Sequence, residues 1–225
     1  MDRIKENKNK KEKIIMSYKD FQPANHPPFP EAIDWCITYT YNATDTEKPR
    51  VLMIGDSICN AYHSKVLNFL KDKINVSYWA TAKCVTNKSY FRQLDLILSD
   101  YHYDIITFNN ALHSLTADPA EWKYAYQQAV HFIRHKYPDA ILMLVTGTPV
   151  AQDDEMEALQ VLNQIIRDYA AQESLPLIDL FAETEALPKE NRWTDGVHFQ
   201  QHVIEKQAAF MAERIQTAYA GKKAL

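Results

Sequence analysis

The 225-residue chain carries 25 basic and 29 acidic residues, a formal net charge of −4, and 46% hydrophobic residues. This balance fits one globular domain with a sizeable core and argues against a disordered chain. It also argues against a protein built around nucleic acid or an anionic membrane, since either partner asks for concentrated positive charge.

Taken in chain order, residues 1–16 read as a disordered basic tail without the apolar centre of a signal peptide. No stretch approaches the ~20 apolar residues of a membrane span. Cys36, Cys59 and Cys84 match neither a zinc pattern nor a small disulfide framework. The expectation is a cytoplasmic protein with reduced thiols, needing no metal, no cofactor, no nucleic acid and no membrane. Residues 17–49 are rich in Pro, Phe, Trp and Tyr but show no clear strand or helix period. They read as a segment that wraps the domain or joins a dimer contact, leaving monomer and homodimer open.

The folded domain is expected over 50–225. "RVLMIG" (50–55) is a continuous apolar run ending at glycine, as in a strand buried on both faces. A helix follows over 58–72, a strand over 74–80, a helix over 90–100 and a strand over 104–108. Asp118-Pro119 has the form of an N-cap with proline in the first turn, opening a helix that Pro138 stops. A strand over 140–147, a helix over 153–172, a short strand over 175–180 and a helix over 200–219 complete the series. Strands alternating with helices predict a three-layer α/β/α sandwich around a parallel, flavodoxin-like five-stranded sheet.

In such sheets ligands bind beyond the carboxyl ends of the strands. Those ends carry Gly55-Asp56-Ser57, "TAKCVT", "NNALHS" and "GTPVAQDD", with "NRWTDGVHF" in the loop after the last strand. A serine hydroxyl becomes nucleophilic when a base takes its proton, and imidazole suits that task when a carboxylate holds its other nitrogen. Asp195 and His198 supply both groups three residues apart, with Gly196 allowing the bend between them. The Ser57 N–H, at a helix start, can point at an oxyanion, and the Asn109 side chain can reach the same oxygen.

These blocks resemble the SGNH hydrolases, the GDSL-type esterase and lipase superfamily. "IGDS" follows the first strand and "DGVH" precedes the last helix, so the resemblance spans roughly residues 50–220. It implies a serine esterase with Ser57 as nucleophile, His198 as base and Asp195 orienting His198. The substrate would be a small acyl ester, acetyl first, on a small molecule or carbohydrate. A lysophospholipase, thioesterase or acyltransferase using the same triad, or a silent glycan-binding module, are the alternatives. The usual Gly-x-Asn-Asp block is replaced by "TFNNALHSL", so Asn109 is the first choice for the oxyanion donor and Asn110 the second. No glycine lies between Gly55 and Gly147, and the N–H of Cys84 or a neighbour must stand in for the second-block glycine. His113 either lines the pocket or packs locally. Trp193 either walls the site or anchors its loop. Cys59 reads as a packing residue, and His131 with His135 lack the partners of a metal motif.

Overall fold

The computed structural model describes residues 17–21 and 33–223, and the basic tail expected over 1–16 lies outside them. Six strands form one sheet: β1 (Cys36–Thr40), β2 (Arg50–Gly55), β3 (Asn75–Thr81), β4 (Ile105–Phe108), β5 (Ile141–Val145) and β6 (Leu177–Ile178). Six α-helices accompany them: α1 (Ser57–Leu70), α2 (Lys88–Asp100), α3 (Pro119–Lys136), α4 (Asp153–Gln172), α5 (Leu180–Glu185) and α6 (Gln201–Lys223). The sheet order is β1-β3-β2-β4-β5-β6, with every pairing parallel except β1 on β3.

Alternation within the strands assigns the two faces. Leu52, Ile54, Ile106, Phe108, Leu142 and Leu144 join the buried residues of α2, α3 and α4 in one cluster. Val51, Met53, Ile105, Met143 and Val145 join those of α1 and α6 in the other. Burial on both faces explains why the strands read as continuous apolar runs. The result is the expected α/β/α sandwich with one strand more than the sequence predicted.

That extra strand is β1. At the sheet edge Ile37 and Thr40 are half-buried, while Cys36, Thr38 and Tyr39 are exposed. A partly wet edge strand carries little hydrophobic signal, so the segment looked patternless. Further along, the expected strand over 175–180 shrinks to Leu177–Ile178 because Asp179 starts a helix, its side chain accepting from the Ala182 N–H at 3.1 Å.

Gly55 is required by proximity. A Cβ there would stand 2.6 Å from the Cβ of Cys59, one helical turn on. Gly55→Ala is therefore expected to lower stability by about 1–3 kcal/mol, read as a lower urea midpoint at unchanged slope. Adding Cys59→Ala should bring no relief, since the obstructing atom is retained.

Candidate active site

The first βα turn presents Ser57. Asp56 caps α1 from an extended conformation, its Oδ1 accepting from the Ile58 N–H at 2.9 Å. Ser57 is then the first helical residue, where the backbone N–H has no partner within the helix. The turn leaves the carboxyl end of β2, the central strand between β3 and β4.

The partner groups arrive on the loop before α6. Trp193 and Phe199 form an isolated antiparallel bridge, and the Thr194 N–H donates to the His198 carbonyl at 2.7 Å. Gly196 takes φ +92°, the left-handed region that glycine enters without strain. Its carbonyl accepts from the Ala151 N–H at 2.8 Å, which ties the loop to the start of α4. Within this turn the two oxygens of Asp195 do different things. Oδ1 accepts from the backbone N–H groups of Val197 (3.0 Å) and His198 (2.8 Å). Oδ2 lies 2.7 Å from His198 Nδ1.

The other imidazole nitrogen, Nε2, lies 2.8 Å from Ser57 Oγ. A carboxylate can only accept, so Nδ1 carries the proton and Nε2 accepts from the Ser57 hydroxyl. The backbone N–H of His198, the imidazole itself and the Val197 N–H hold the Asp195 carboxyl at about 2. It is ionised wherever a neutral imidazole exists. The arrangement is a continuous path for proton withdrawal from a hydroxyl.

Behind this loop, Arg192 is fully buried and pairs through Nη1 with Glu185 at 2.7 Å. It also donates to the carbonyls of Glu185 and Leu187, and its guanidinium lies 5.0 Å from the Trp193 ring. Trp193 donates from Nε1 to the Pro149 carbonyl at 3.2 Å and stacks on Phe199. It anchors the loop and is not among the residues lining the cleft.

The two asparagines after β4 have separate surroundings. Asn110 holds the neighbouring backbone: Oδ1 accepts from the Val85 N–H (2.8 Å) and lies 3.1 Å from Ser114 Oγ, and one Nδ2 hydrogen donates to the Lys83 carbonyl (2.8 Å). It thereby pins the chain on either side of Cys84. The Cys84 N–H makes no hydrogen bond among the described residues, while its sulfur accepts from Thr86 and Ser114 hydroxyls. Asn109 makes one side-chain donation, Nδ2 to the Thr146 carbonyl at 3.3 Å, and Oδ1 accepts from the Ala111 N–H at 3.0 Å. Its second N–H is unused among the described residues.

A cleft of about 510 Å³ opens over Ser57 and His198. His113 lines it and meets the Trp35 ring edge-on, with centroids 5.9 Å apart. Leu112, Leu115, Val150, Val197 and Glu155 lie in the wall as well. The strand-end rule does not reach Trp35, because β1 runs against the other strands. The first residue of β1, Cys36, pairs with Thr81 at the carboxyl end of β3, so the residue before β1 reaches the same edge. Glu155 directly follows the strand-end segment "GTPVAQDD". Cys59 is buried, and burial holds its thiol well above the usual range, so it packs and does not attack. Among the described residues no group of His, Cys, Asp or Glu could hold a metal ion, and no helix is long and apolar enough to cross a membrane.

Comparison with known proteins agrees with this architecture. No curated protein matches the chain. Solved structures that resemble it include a GDSL-like lipase from Bacteroides thetaiotaomicron (15% identity, TM-score 0.61), covering 80% of this chain and 91% of the other. A carbohydrate acetylesterase family member from Sinorhizobium meliloti aligns at 15% identity and TM-score 0.62, over 76% of this chain and 98% of its own. A variant of Axe2, an acetyl-xylooligosaccharide esterase from Geobacillus stearmophilus, aligns at 15% identity and TM-score 0.58, over 74% and 94%. At such identities the likeness is one of fold. The family model for the GDSL-like lipase/acylhydrolase family matches residues 37–202, from within β1 to the start of α6. The chain belongs to that family, and is a carboxylic ester hydrolase of the GDSL/SGNH type.

Proposed function

We propose that the protein hydrolyses a small acyl ester, an acetyl group on a carbohydrate hydroxyl first among them, through a Ser57 acyl-enzyme. The observation that carries this reading is the relay from Asp195 through His198 to Ser57, at 2.7 and 2.8 Å. His198 Nε2 takes the hydroxyl proton as Ser57 Oγ attacks the ester carbonyl, and Asp195 stabilises the resulting imidazolium. The oxyanion is met by the N–H groups of Ser57 and Cys84 and by Asn109 Nδ2. His198 then protonates the departing alcohol. A water deprotonated by His198 attacks the acyl-enzyme and releases the acid and free Ser57.

The acetyl-sugar assignment draws on two structural neighbours, an acetyl-xylooligosaccharide esterase and a carbohydrate acetylesterase family member. The cleft volume of about 510 Å³ also suits a short acyl group with a sugar-sized alcohol. Three free cysteines fit a reducing cytoplasmic setting. The test is hydrolysis of p-nitrophenyl acetate, butyrate and octanoate, with a fluorophosphonate probe to mark the nucleophile. We expect rates to fall with chain length and the probe's mass to appear on Ser57. Labelling at another residue sinks the assignment, and a preference for octanoate sinks the short-acyl part.

The asparagines provide a second check. Asn109→Ala is expected to lower kcat by about 10²–10³-fold with the fold intact, as loss of one oxyanion donor does. Asn110→Ala is expected to act first on stability, because it strands the Val85 N–H and the Lys83 carbonyl. Thermal melts beside single-substrate kinetics separate the two, and the reverse pattern would exchange their roles.

A further inference from the structure

The cleft carries more chemistry than ester cleavage needs. Trp35 lies upstream of the family-matched segment 37–202, yet its half-buried side chain reaches the wall of the site. Glu155, half-buried in the first turn of α4, lines the same cleft. With Asp195 that makes two carboxylates among the described lining residues, none of which is lysine or arginine. Arg192, three residues before Asp195, is buried and paired with Glu185, and Lys83, beside Cys84, has its amine paired with Asp34, so neither adds an unpaired positive charge at that edge.

Resting on the esterase reading, we propose that Trp35 and Glu155 are specificity determinants that admit a neutral, hydroxyl-bearing alcohol and reject an anionic one. The indole offers a broad apolar face with a polar rim, the surface on which a sugar ring can lie. A carboxylate is an acceptor with several lone-pair sites, suited to neighbouring hydroxyls. The same carboxylate repels a negatively charged substrate in a cleft whose walls exclude part of the water. Acyl carriers bearing phosphates, such as acyl-CoA or a lysophospholipid, therefore meet repulsion, with no lysine or arginine among the described lining residues to receive them. Selection by repulsion needs no extra contact to the favoured partner. A cationic alcohol would be drawn by the carboxylate and the indole face together. The polyol is favoured because the described lining offers His113 and Glu155 as hydrogen-bonding groups and one indole, Trp35, in place of an aromatic cage.

A matched pair of substrates tests this in the full-length chain: a mono-O-acetyl methyl glucoside and the corresponding glucuronide, identical but for one carboxylate. The ratio of their kcat/KM values within one variant cancels any general loss of activity. Wild type should favour the glucoside by about tenfold or more, a difference that one like-charge pair in a partly desolvated cleft can supply. Glu155→Gln should shrink the ratio and Glu155→Lys should bring it to one or below. Trp35→Ala should raise KM for the glucoside about tenfold more than KM for p-nitrophenyl acetate, which has no sugar ring to lose. A wild-type ratio near one, a ratio unmoved in both Glu155 variants, failure on the glucoside, or preference for an acetylated choline overturns the proposal. The underlying reading is checked separately by Ser57→Ala. If that variant still turns over p-nitrophenyl acetate, the esterase mechanism falls and this proposal with it. If turnover depends on Ser57 while the ratio stays near one, the selectivity assignment alone falls.

Discussion

Ser57→Ala is expected to lower kcat on p-nitrophenyl acetate by about 10⁴–10⁶-fold while leaving the unfolding free energy from urea titration within about 0.5 kcal/mol of wild type. The hydroxyl makes its one described side-chain hydrogen bond to His198 Nε2, and the cap of α1 is supplied by Asp56, so the helix start does not depend on it. His198→Ala should cost about as much activity, and the double variant little more than either alone. Groups that act as one unit lose their joint contribution when the first is removed. Kinetics on the three variants, with melts as control, read this out. If the two single losses multiplied in the double variant, Ser57 and His198 would be acting independently, and the relay would be a hydrogen bond without a shared role. Full activity in Ser57→Ala would remove the nucleophile altogether.

The order of strands and helices was legible because burial on both sheet faces writes itself as unbroken apolar runs such as Val51–Ile54. The relay was legible for a related reason. Ser57 and the Asp195–His198 pair lie 141 positions apart for the first contact, yet both fall at the carboxyl edge once the strands are drawn as parallel. Trp35 was not legible in that way. It precedes a strand that runs in the opposite sense, on an edge where only half the residues are covered, so neither periodicity nor the strand-end rule reaches it. Nor could sequence separate Asn109 from Asn110. That distinction depends on what each amide holds, and the partners of Asn110 come from Lys83 and Val85, a loop with no apolar period of its own. The same clamp fixes the chain on either side of Cys84, whose N–H is the proposed stand-in for the second-block glycine.

Asp195→Asn carries the other large effect, and its interest lies in separating two tasks of one side chain. Oδ1 holds the turn through the Val197 and His198 N–H groups, and Oδ2 meets Nδ1 of the imidazole. Asparagine can keep the first task with its carbonyl oxygen. Its NH₂ group then faces Nδ1 and favours the tautomer with the proton on Nε2, which can no longer accept from Ser57. kcat should fall by about 10⁴-fold at little change in KM, while the fold survives near neutral pH. Asp195→Ala should lose both the rate and part of the loop's stability. The pH dependence follows from the same contacts. Asp195 is held at about 2, below its ordinary 3.8, by donors present only in the folded chain. Its contribution to stability is therefore full above about pH 4 and is lost as pH falls toward 2. The stability gap between wild type and Asp195→Ala should narrow over that interval in urea titrations. If Asp195→Asn instead lost stability as fully as Asp195→Ala and kept its kcat, the carboxylate would be a loop-folding group and nothing more.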